Sequence, residues 1–205
     1  MQERRRFLGA TIAGAVAAPA FAARSPSGAA AEAPVARSAP GPTLLTVSGA
    51  IGAGNRGAFD PVLDQLMAKQ KLTFAKAQAF DFAALSALPA LTIRPTLEYD
   101  GKQHALSGPL LVDVVRASGA APGDRTVLFV RAIDGYAAQI AGADAAKRRY
   151  IVATHLDGKP MALGGLGPLW TLYEADAFAD TALLPLAQRF GTCPWATYHV
   201  DVRDA

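Results

Sequence analysis

Residues 126–140 read Thr-Val-Leu-Phe-Val-Arg-Ala-Ile-Asp-Gly-Tyr-Ala-Ala-Gln-Ile. β-Branched, aromatic and other apolar residues dominate this stretch, and such residues are enriched in strands. The stretch therefore predicts a strand at 126–133 and a neighbouring strand at 135–140. From here to the carboxyl terminus the pattern is mostly of this kind, so β-structure is expected to be the basis of the fold.

Further strands and helices follow from apolar periodicity and turn residues along the chain. Predicted strands cover 43–47, 72–76, 91–99, 102–106, 150–155, 169–173 and 198–202. Predicted helices cover 59–71, a short segment capped by Asp81 and ended by Pro89, 109–118, and a segment around 180–190. Because strands and short helices mix without a regular βαβ rhythm, the predicted fold class is α+β and β-rich, with a single domain at 43–205.

The amino-terminal region has the composition of a targeting segment. Arg4 and Arg5 stand just before a Phe-Leu pair and an alanine-rich apolar stretch. This pattern is typical of a twin-arginine export signal, which we place at 1–23. Residues 24–42 are rich in Ala, Pro, Ser and Gly and are predicted to form a disordered linker. The protein is therefore expected to be periplasmic, exported by the twin-arginine route.

The net positive charge of the chain comes from the residues before Thr43. Five of the 20 Lys and Arg residues and two of the 17 Asp and Glu residues precede Thr43, so the domain carries fifteen of each sign. A nucleic-acid partner requires a basic face, and a domain without net charge does not favour one. The apolar stretch of the signal is shorter than the roughly 20 residues that span a bilayer, so no membrane span is expected in the mature chain.

A glycine-rich loop at 52–57 satisfies the G-x-G-x-x-G pattern of dinucleotide-binding proteins. It also lies between a predicted strand and a predicted helix, as that motif requires. However, the acidic residue expected about 20 positions later is found only at Asp81, which has the character of a helix cap, and no further βα units follow. The loop by itself is therefore weak evidence for a nucleotide site.

Histidines and acidic residues form no recognised ligand motif. The three histidines are far apart in the sequence, at His104, His155 and His199. Glu98 and Asp100 alternate along a predicted strand and are expected to share a face, where two carboxylates can split their pKa values, although solvated carboxylates are the simpler expectation. Cys193 is the single cysteine, which excludes an intramolecular disulfide, and is expected to be a small buried residue.

Several segments occur in a characteristic order and spacing along the domain. They are Leu45-Thr-Val-Ser-Gly49, Phe80-Asp-Phe-Ala-Ala-Leu-Ser-Ala-Leu-Pro89, Leu106-Ser-Gly-Pro-Leu-Leu-Val-Asp-Val-Val115 with Gly119, Ala132-Ile-Asp-Gly-Tyr136, Asp157-Gly-Lys-Pro160, Gly167-Pro-Leu-Trp170 with Tyr173 and Asp176, and Trp195 with Val200-Asp-Val202. Together they resemble the oxidoreductase molybdopterin-binding domain, and more closely its small exported single-domain relatives. The resemblance covers nearly all of 43–205 and implies a sulfite-oxidase-type fold.

One departure from this family bears directly on function. In the redox enzymes of the family, a cysteine on the strand after the predicted Asp81 helix supplies a thiolate to molybdenum, whereas 91–99 contains no cysteine. Cys193 lies about 95 residues later, in a different context. The resemblance therefore implies an exported binding or interaction module that has lost redox catalysis and needs no cofactor. The alternative is a periplasmic molybdopterin-dependent oxidoreductase with non-cysteine ligation, which the export signal favours because twin-arginine substrates often carry cofactors.

The resemblance also implies where a ligand would bind, near the glycine-rich loop and two strand ends. The candidate cofactor-binding residues are Asn55, Glu98, Arg131, Asp134, Tyr136 and Trp170. A guanidinium at Arg131 suits phosphate, while a solvated arginine beside Asp134 is the alternative. Tyr136 and Trp170 either line a pocket or belong to the core. No catalytic residue and no metal ligand is predicted, and the partner is an unidentified protein or small molecule.

Overall fold

A five-stranded mixed sheet is the largest element of the fold. The computed structural model describes residues 41–204, so the predicted signal and residues 24–40 of the predicted linker lie outside the described residues. The strands are β1 (Leu45–Gly49), β2 (Ala77–Phe80), β3 (Ala90–Ile93), β4 (Leu106–Pro109), β5 (Thr126–Ala132), β6 (Ala137–Ala141), β7 (Ile151–Ala153), β8 (His155–Leu156), β9 (Lys159–Pro160), β10 (Trp170–Leu172) and β11 (Thr197–Asp204). The helices are α1 (Gln65–Lys69), α2 (Phe82–Ser86), α3 (Leu111–Ala117), α4 (Gly142–Lys147), α5 (Ala179–Ala182) and α6 (Leu186–Arg189), with a 3₁₀ turn at Ala175–Ala177.

The strands form three sheets. The order in the largest sheet is β2-β1-β11-β5-β6, in which β1 and β11 pair in parallel and the other neighbours pair antiparallel. A four-stranded antiparallel sheet has the order β3-β4-β8-β9, and β10 pairs with β7. The predicted fold class is confirmed: the fold is α+β and rich in strands, with mixed sheets and short helices.

One face of the five-stranded sheet carries the main core. Along β5 the burial alternates, with Leu128 and Val130 fully buried and the intervening residues half-buried, as expected for successive side chains on opposite faces. Leu45, Val47 and Val200 from the neighbouring strands join the same core, as do the apolar side chains of α3. Full burial of each aliphatic side chain contributes about 1.5–3 kcal/mol, so this cluster supplies most of the force that orders the sheet.

Gly108 sets the distance between two sheets. A Cβ atom at this position of β4 would lie 2.0 Å from the carbonyl oxygen of Val152 in β7. Real contacts of this kind do not occur, so only glycine lets the two strands approach so closely. This approach brings β7, and with it β10 and Trp170, against the rest of the domain.

Several predicted elements are confirmed with shifted ends, because their local signals are strong. The side chain of Asp81 accepts a hydrogen bond from the backbone N–H of Ala84 at 2.7 Å and caps α2. Helix α3 ends before Gly119, whose positive φ of 80° suits glycine. The strands predicted at 126–133 and 135–140 are β5 and β6.

The helix predicted at 59–71 is much shorter in the structure. The carboxylate of Asp60 accepts hydrogen bonds from the backbone N–H groups of Val62 and Leu63, at 2.8 and 3.1 Å. This local bonding replaces the first helical turn, because aspartate side chains compete with the helix for backbone donors. The helix therefore begins at Gln65, and Val62 and Leu63 are left 72% and 79% exposed.

The prediction of a strand at 72–76 was wrong, and so was the prediction that Glu98 and Asp100 share one face of a strand. Leu72 packs with Met67 and Tyr198 in a small second cluster, so the apolar residues here fill space beneath a loop instead of pairing in a sheet. Strand β3 stops at Ile93, and Pro95, which has no backbone N–H, interrupts the ladder, so that only an isolated bridge between Thr96 and Gln103 pairs the chain nearer the hairpin end. Beyond it the chain turns, and the side chain of Asp100 points to His104.

Two helices of the carboxyl-terminal half also differ from prediction. The single helix expected around 180–190 is two short helices, α5 and α6, separated at Pro185. Helix α4 carried no apolar stripe in the sequence and was not predicted; it packs Ala145 and Gly142 inward. Within residues 41–204, no helix is both long and apolar enough to cross a membrane.

Candidate functional site

Twelve residues from four separate segments surround one open cavity. Its volume is about 250 Å³, and we call it the aromatic–acidic cavity. The lining residues are Glu98, Tyr99, Ala132, Asp134, Tyr136, Trp170, Ala187, Phe190, Gly191, Cys193, Pro194 and Trp195. Four of the six sequence-predicted site residues are among them, so the fold brings together positions that are up to about 70 residues apart in the chain.

Asp134 and Tyr136 reach the cavity from the turn between β5 and β6. The carboxylate of Asp134 accepts a hydrogen bond from the backbone N–H of Tyr136 at 2.8 Å, and Gly135 supplies the positive φ of 96° that the turn needs. The Tyr136 hydroxyl donates a hydrogen bond to the carbonyl oxygen of Gly191. The turn is therefore joined to the opposite wall of the cavity by a side chain that is itself 48% exposed.

Trp170 is the buried base of the cavity. It is 1% exposed, and its indole N–H donates a hydrogen bond to the carbonyl oxygen of Cys193 at 2.9 Å. Its backbone pairs with Ala153 on one side and forms an isolated bridge with Trp195 on the other. A buried indole needs a partner for its N–H, and here that bond fixes the ring against the segment that supplies the other tryptophan.

Aromatic rings surround Trp170. The ring centroid of Tyr99 lies 6.4 Å from that of Trp170, and the centroid of Phe190 lies 6.0 Å away. Trp195, at 37% exposed, and Tyr99, at 56% exposed, form the outer part of the cavity. Because these rings combine apolar faces with accessible edges, they are suited to hold a ligand and not only to fill the core.

Glu98 and Tyr99 belong to the turn that follows Pro95. The backbone N–H of Thr96 donates a hydrogen bond to Asp176 at 2.6 Å, which ties the base of this turn to the 3₁₀ turn. Glu98 is half-buried beside Tyr99. Burial raises the pKa of the Tyr99 phenol, and the neighbouring Glu98 carboxylate raises that pKa further because it opposes a second negative charge.

His104 holds the outer end of the same turn. Its two ring nitrogens face Asp157, at 2.7 Å, and Asp100, at 3.0 Å. These hydrogen bonds raise the pKa of His104, with the bond to Asp157 as the larger cause, and they lower the pKa values of both carboxyl groups. The histidine therefore connects the cavity-lining turn to the turn between β8 and β9.

The cavity is acidic. Glu98 and Asp134 are its two charged residues, and none of the lining side chains, all of which lie in the part of the chain that the structure describes, is Lys, Arg or His. Cys193 is buried, and burial raises the pKa of its thiol to about 12, so the thiol is neutral at ordinary pH. Within residues 41–204, no group of three or more His, Cys, Asp or Glu side chains is arranged to hold a metal ion.

The remaining two predicted residues lie outside the cavity. The side chain of Asn55 accepts a hydrogen bond from the backbone N–H of Ala79 at 2.7 Å and donates one to the carbonyl oxygen of Ala79 at 3.0 Å. It thus completes the free edge of β2 as another strand would, and Gly54, whose Cβ would meet Ala77 at 2.2 Å, permits this approach. Arg131 lies on β5 between Val130 and Ala132, so its side chain is on the opposite face of the sheet.

The face that carries Arg131 holds a second group of polar residues, which we call the buried histidine cluster: Ser48, Arg56, Phe74, Arg131 and His199. His199 Nε2 and the Ser48 hydroxyl are 2.9 Å apart, while His199 Nδ1 and Arg131 Nε are buried with no hydrogen-bond partner among the described residues. Phe74 is stacked on His199, with the ring centroids 6.4 Å apart, and Arg56 lies over Phe74. Burial is the main reason that the pKa of His199 is lowered to about 4.

Tyr99, Phe190 and Trp195 are cavity residues that the sequence did not single out as ligand-binding. The available signal was that Trp170 and Trp195 are the only two tryptophans of the chain, although their proximity becomes visible only through the bridge between them. No protein-family model matches the chain, and no curated protein matches it either. The resemblance to the molybdopterin-binding domain stays a prediction, and the cavity is the feature of the molecule from which a function can be proposed.

Proposed function

We propose that this protein is an exported binding protein without redox catalysis, and that the aromatic–acidic cavity is its ligand site. The observation that carries the proposal is the lining: four accessible or partly accessible aromatic and acidic groups, Glu98, Tyr99, Asp134 and Tyr136, around a fixed tryptophan. Ligand sites in proteins are typically concave and lined by aromatic residues with a few polar groups.

The lining does not fit a molybdopterin cofactor, whose phosphate and paired sulfur donors are anionic. Glu98 and Asp134 would repel such a group, and no basic side chain of the described residues lines the cavity to offset that repulsion. Arg131, which suits phosphate by its chemistry, is on the other face of β5. These contacts support a binding protein over a molybdenum enzyme.

The proposal of export depends on the amino-terminal sequence. Arg4 and Arg5, followed by a weakly apolar stretch, support transport to the periplasm by the twin-arginine route. Replacement of both residues by lysine retains the charge, so a twin-arginine substrate should remain in the cytoplasm while a general secretory substrate should still be exported. Cell fractionation distinguishes these outcomes, and normal export of the lysine variant would contradict the proposed route.

The decisive test of the function is the metal content of the mature protein. The full chain is expressed in a molybdenum-replete, cofactor-competent host, purified from the periplasm and subjected to elemental analysis, with pterin fluorescence recorded after oxidation. We expect molybdenum at background level in a folded protein. Near-stoichiometric molybdenum together with a pterin signal would overturn the proposal and support a periplasmic molybdopterin-dependent oxidoreductase.

A further inference from the structure

The aromatic–acidic cavity combines two features that recognise the same kind of ligand. Aromatic rings attract a cation through their negative faces, and this interaction is the usual means by which proteins recognise quaternary ammonium groups. Carboxylates attract the same charge directly. Tyr99, Tyr136 and Trp195 present partly exposed rings, and Glu98 and Asp134 are on the same lining.

Two arginines of the neighbouring elements are held in ion pairs outside the cavity. Arg189 is next to the cavity in sequence, but its guanidinium pairs with Asp176 at 2.6 Å and donates to the carbonyl oxygens of Ala182 and Leu184. Arg148 pairs with Asp180. Because these two arginines are held in ion pairs, they do not neutralise Glu98 and Asp134, the charged residues of the lining.

Some polar groups of the cavity already form hydrogen bonds within the protein, whereas others remain available to a ligand. The indole N–H of Trp170 and the hydroxyl of Tyr136 already donate to backbone carbonyl oxygens. Asp134 uses one carboxylate oxygen in its turn, at 2.8 Å from the Tyr136 nitrogen, and its other oxygen accepts no hydrogen bond from residues 41–204. The carboxylate oxygens and ring faces left to a ligand match a positively charged ligand with N–H or N–CH₃ groups, and the Tyr99 hydroxyl and the Trp195 indole N–H can bond a polar group beside that charge.

We propose that the ligand of this cavity is a small organic cation, a primary to quaternary ammonium ion of a few carbon atoms. This inference depends on the proposed function, since it specifies the chemistry of the ligand that the same cavity binds. Glu98 and Asp134 supply the charge, and Tyr99, Tyr136 and Trp195 supply the ring faces.

The test uses three probes of nearly the same shape and different charge: choline, its neutral carbon analogue 3,3-dimethylbutan-1-ol, and the anion 3,3-dimethylbutanoate. Both tryptophans of the chain line the cavity, so intrinsic tryptophan fluorescence of the full mature protein reports on this site alone. We expect choline to bind about tenfold or more tightly than the neutral analogue, and the anion to bind most weakly.

Variants identify the residues that produce this preference. Glu98→Gln with Asp134→Asn removes both charges and retains an acceptor oxygen for the Tyr136 N–H, so the protein should fold normally and the preference for choline should fall below about twofold. Glu174→Gln makes the same chemical change outside the lining and should retain the full preference. Retention of the preference in the double variant would contradict the role of the carboxylates.

The possible outcomes separate the two proposals. Equal binding of choline and the neutral analogue, or tighter binding of the anion, would overturn the inference of a cationic ligand and leave the binding function standing. The third outcome is that none of the three probes gives a saturable change in fluorescence at concentrations of up to about 50 mM, which would detect even a site much weaker than a Kd of about 1 mM. That outcome would overturn the cavity as a ligand site, and with it the inference of a cationic ligand.

Discussion

The aromatic–acidic cavity and the buried histidine cluster are on opposite faces of the same strand, β5, and contain similar residue types. Each combines aromatic rings with ionisable groups. In the cavity the rings of Tyr99, Tyr136 and Trp195 are partly exposed, whereas His199 is 1% exposed beneath Phe74. The pKa of His199 is accordingly lowered to about 4. Accessibility, and not residue type, therefore decides which of the two groups can contact a ligand.

The largest loss of stability is expected when Trp170, at the base of the cavity, is replaced. Trp170→Ala should lower the free energy of unfolding by about 3–5 kcal/mol, because it removes a fully buried indole and its hydrogen bond to Cys193. Urea unfolding followed by far-ultraviolet circular dichroism measures this. Trp195→Ala is the control, since this residue is 37% exposed and should cost less than half as much. Equal losses in the two variants would show that Trp170 does not anchor the cavity.

The second prediction concerns the buried histidine cluster and its pH dependence. The pKa of His199 is lowered in the folded state, chiefly by burial; the negative charge of Asp201 raises it in part, and the positive charges of Arg131 and Arg56 lower it. As the pH falls from about 6.5 to about 4, the unfolded chain gains a proton that the folded protein does not bind. His199 should therefore cost up to about 3 kcal/mol of stability over this range.

His199→Gln should remove that loss, so the difference in stability between the variant and the wild-type protein should shift in favour of the variant as the pH falls. Chemical unfolding at a series of pH values measures the difference. His155→Gln is the control, because this histidine is only half-buried on β8. Parallel pH profiles of wild type and His199→Gln would show that His199 is not buried in its neutral form.

Loss of one tyrosine hydroxyl can be compared between the cavity and the residues beside the buried histidine cluster. Tyr198→Phe, next to His199, removes a hydroxyl that donates to Gln70 at 2.9 Å, and Tyr136→Phe removes the hydroxyl that donates to Gly191 in the cavity. Each should cost about 1 kcal/mol, with the larger loss for Tyr198, because its partner Gln70 is half-buried whereas Gly191 is exposed to water. Thermal melts of the two variants test the order, and a larger loss for Tyr136→Phe would reverse the distinction between the regions.

The smallest effect is expected at His104, on the outer turn of the cavity. Its pKa is raised above about 6.5 by hydrogen bonds to Asp157 and Asp100, so its contribution is complete below that pH and is lost as the pH rises through the higher folded value. His104 is half-buried but both carboxylates are exposed, so water screens these bonds and the contribution should be small. His104→Gln should remove this pH dependence above about pH 6.5 in thermal melts. An unchanged profile would show that His104 does not stabilise the turn.

Part of the cavity lining was among the candidate residues that the family resemblance implied. Glu98, Asp134, Tyr136 and Trp170 were candidates and lie together. Asn55 was a candidate because it belongs to a glycine-rich motif, but its side chain bonds to the edge of β2. A motif specifies residue types and spacing, while the direction of a side chain depends on which strand lies beside it.

Features that depend on neighbouring residues were predictable from the sequence: the α+β class, the Asp81 cap of α2, the end of α3 before Gly119 and the burial of Cys193. Which of these elements contact one another became known only from the folded chain. The parallel pairing of β1 with β11 places Ser48 beside His199, 151 residues away, and the bridge between Trp170 and Trp195 closes one side of the cavity. Local preferences act over a few residues, whereas these contacts depend on burial of surfaces that are distant in the chain.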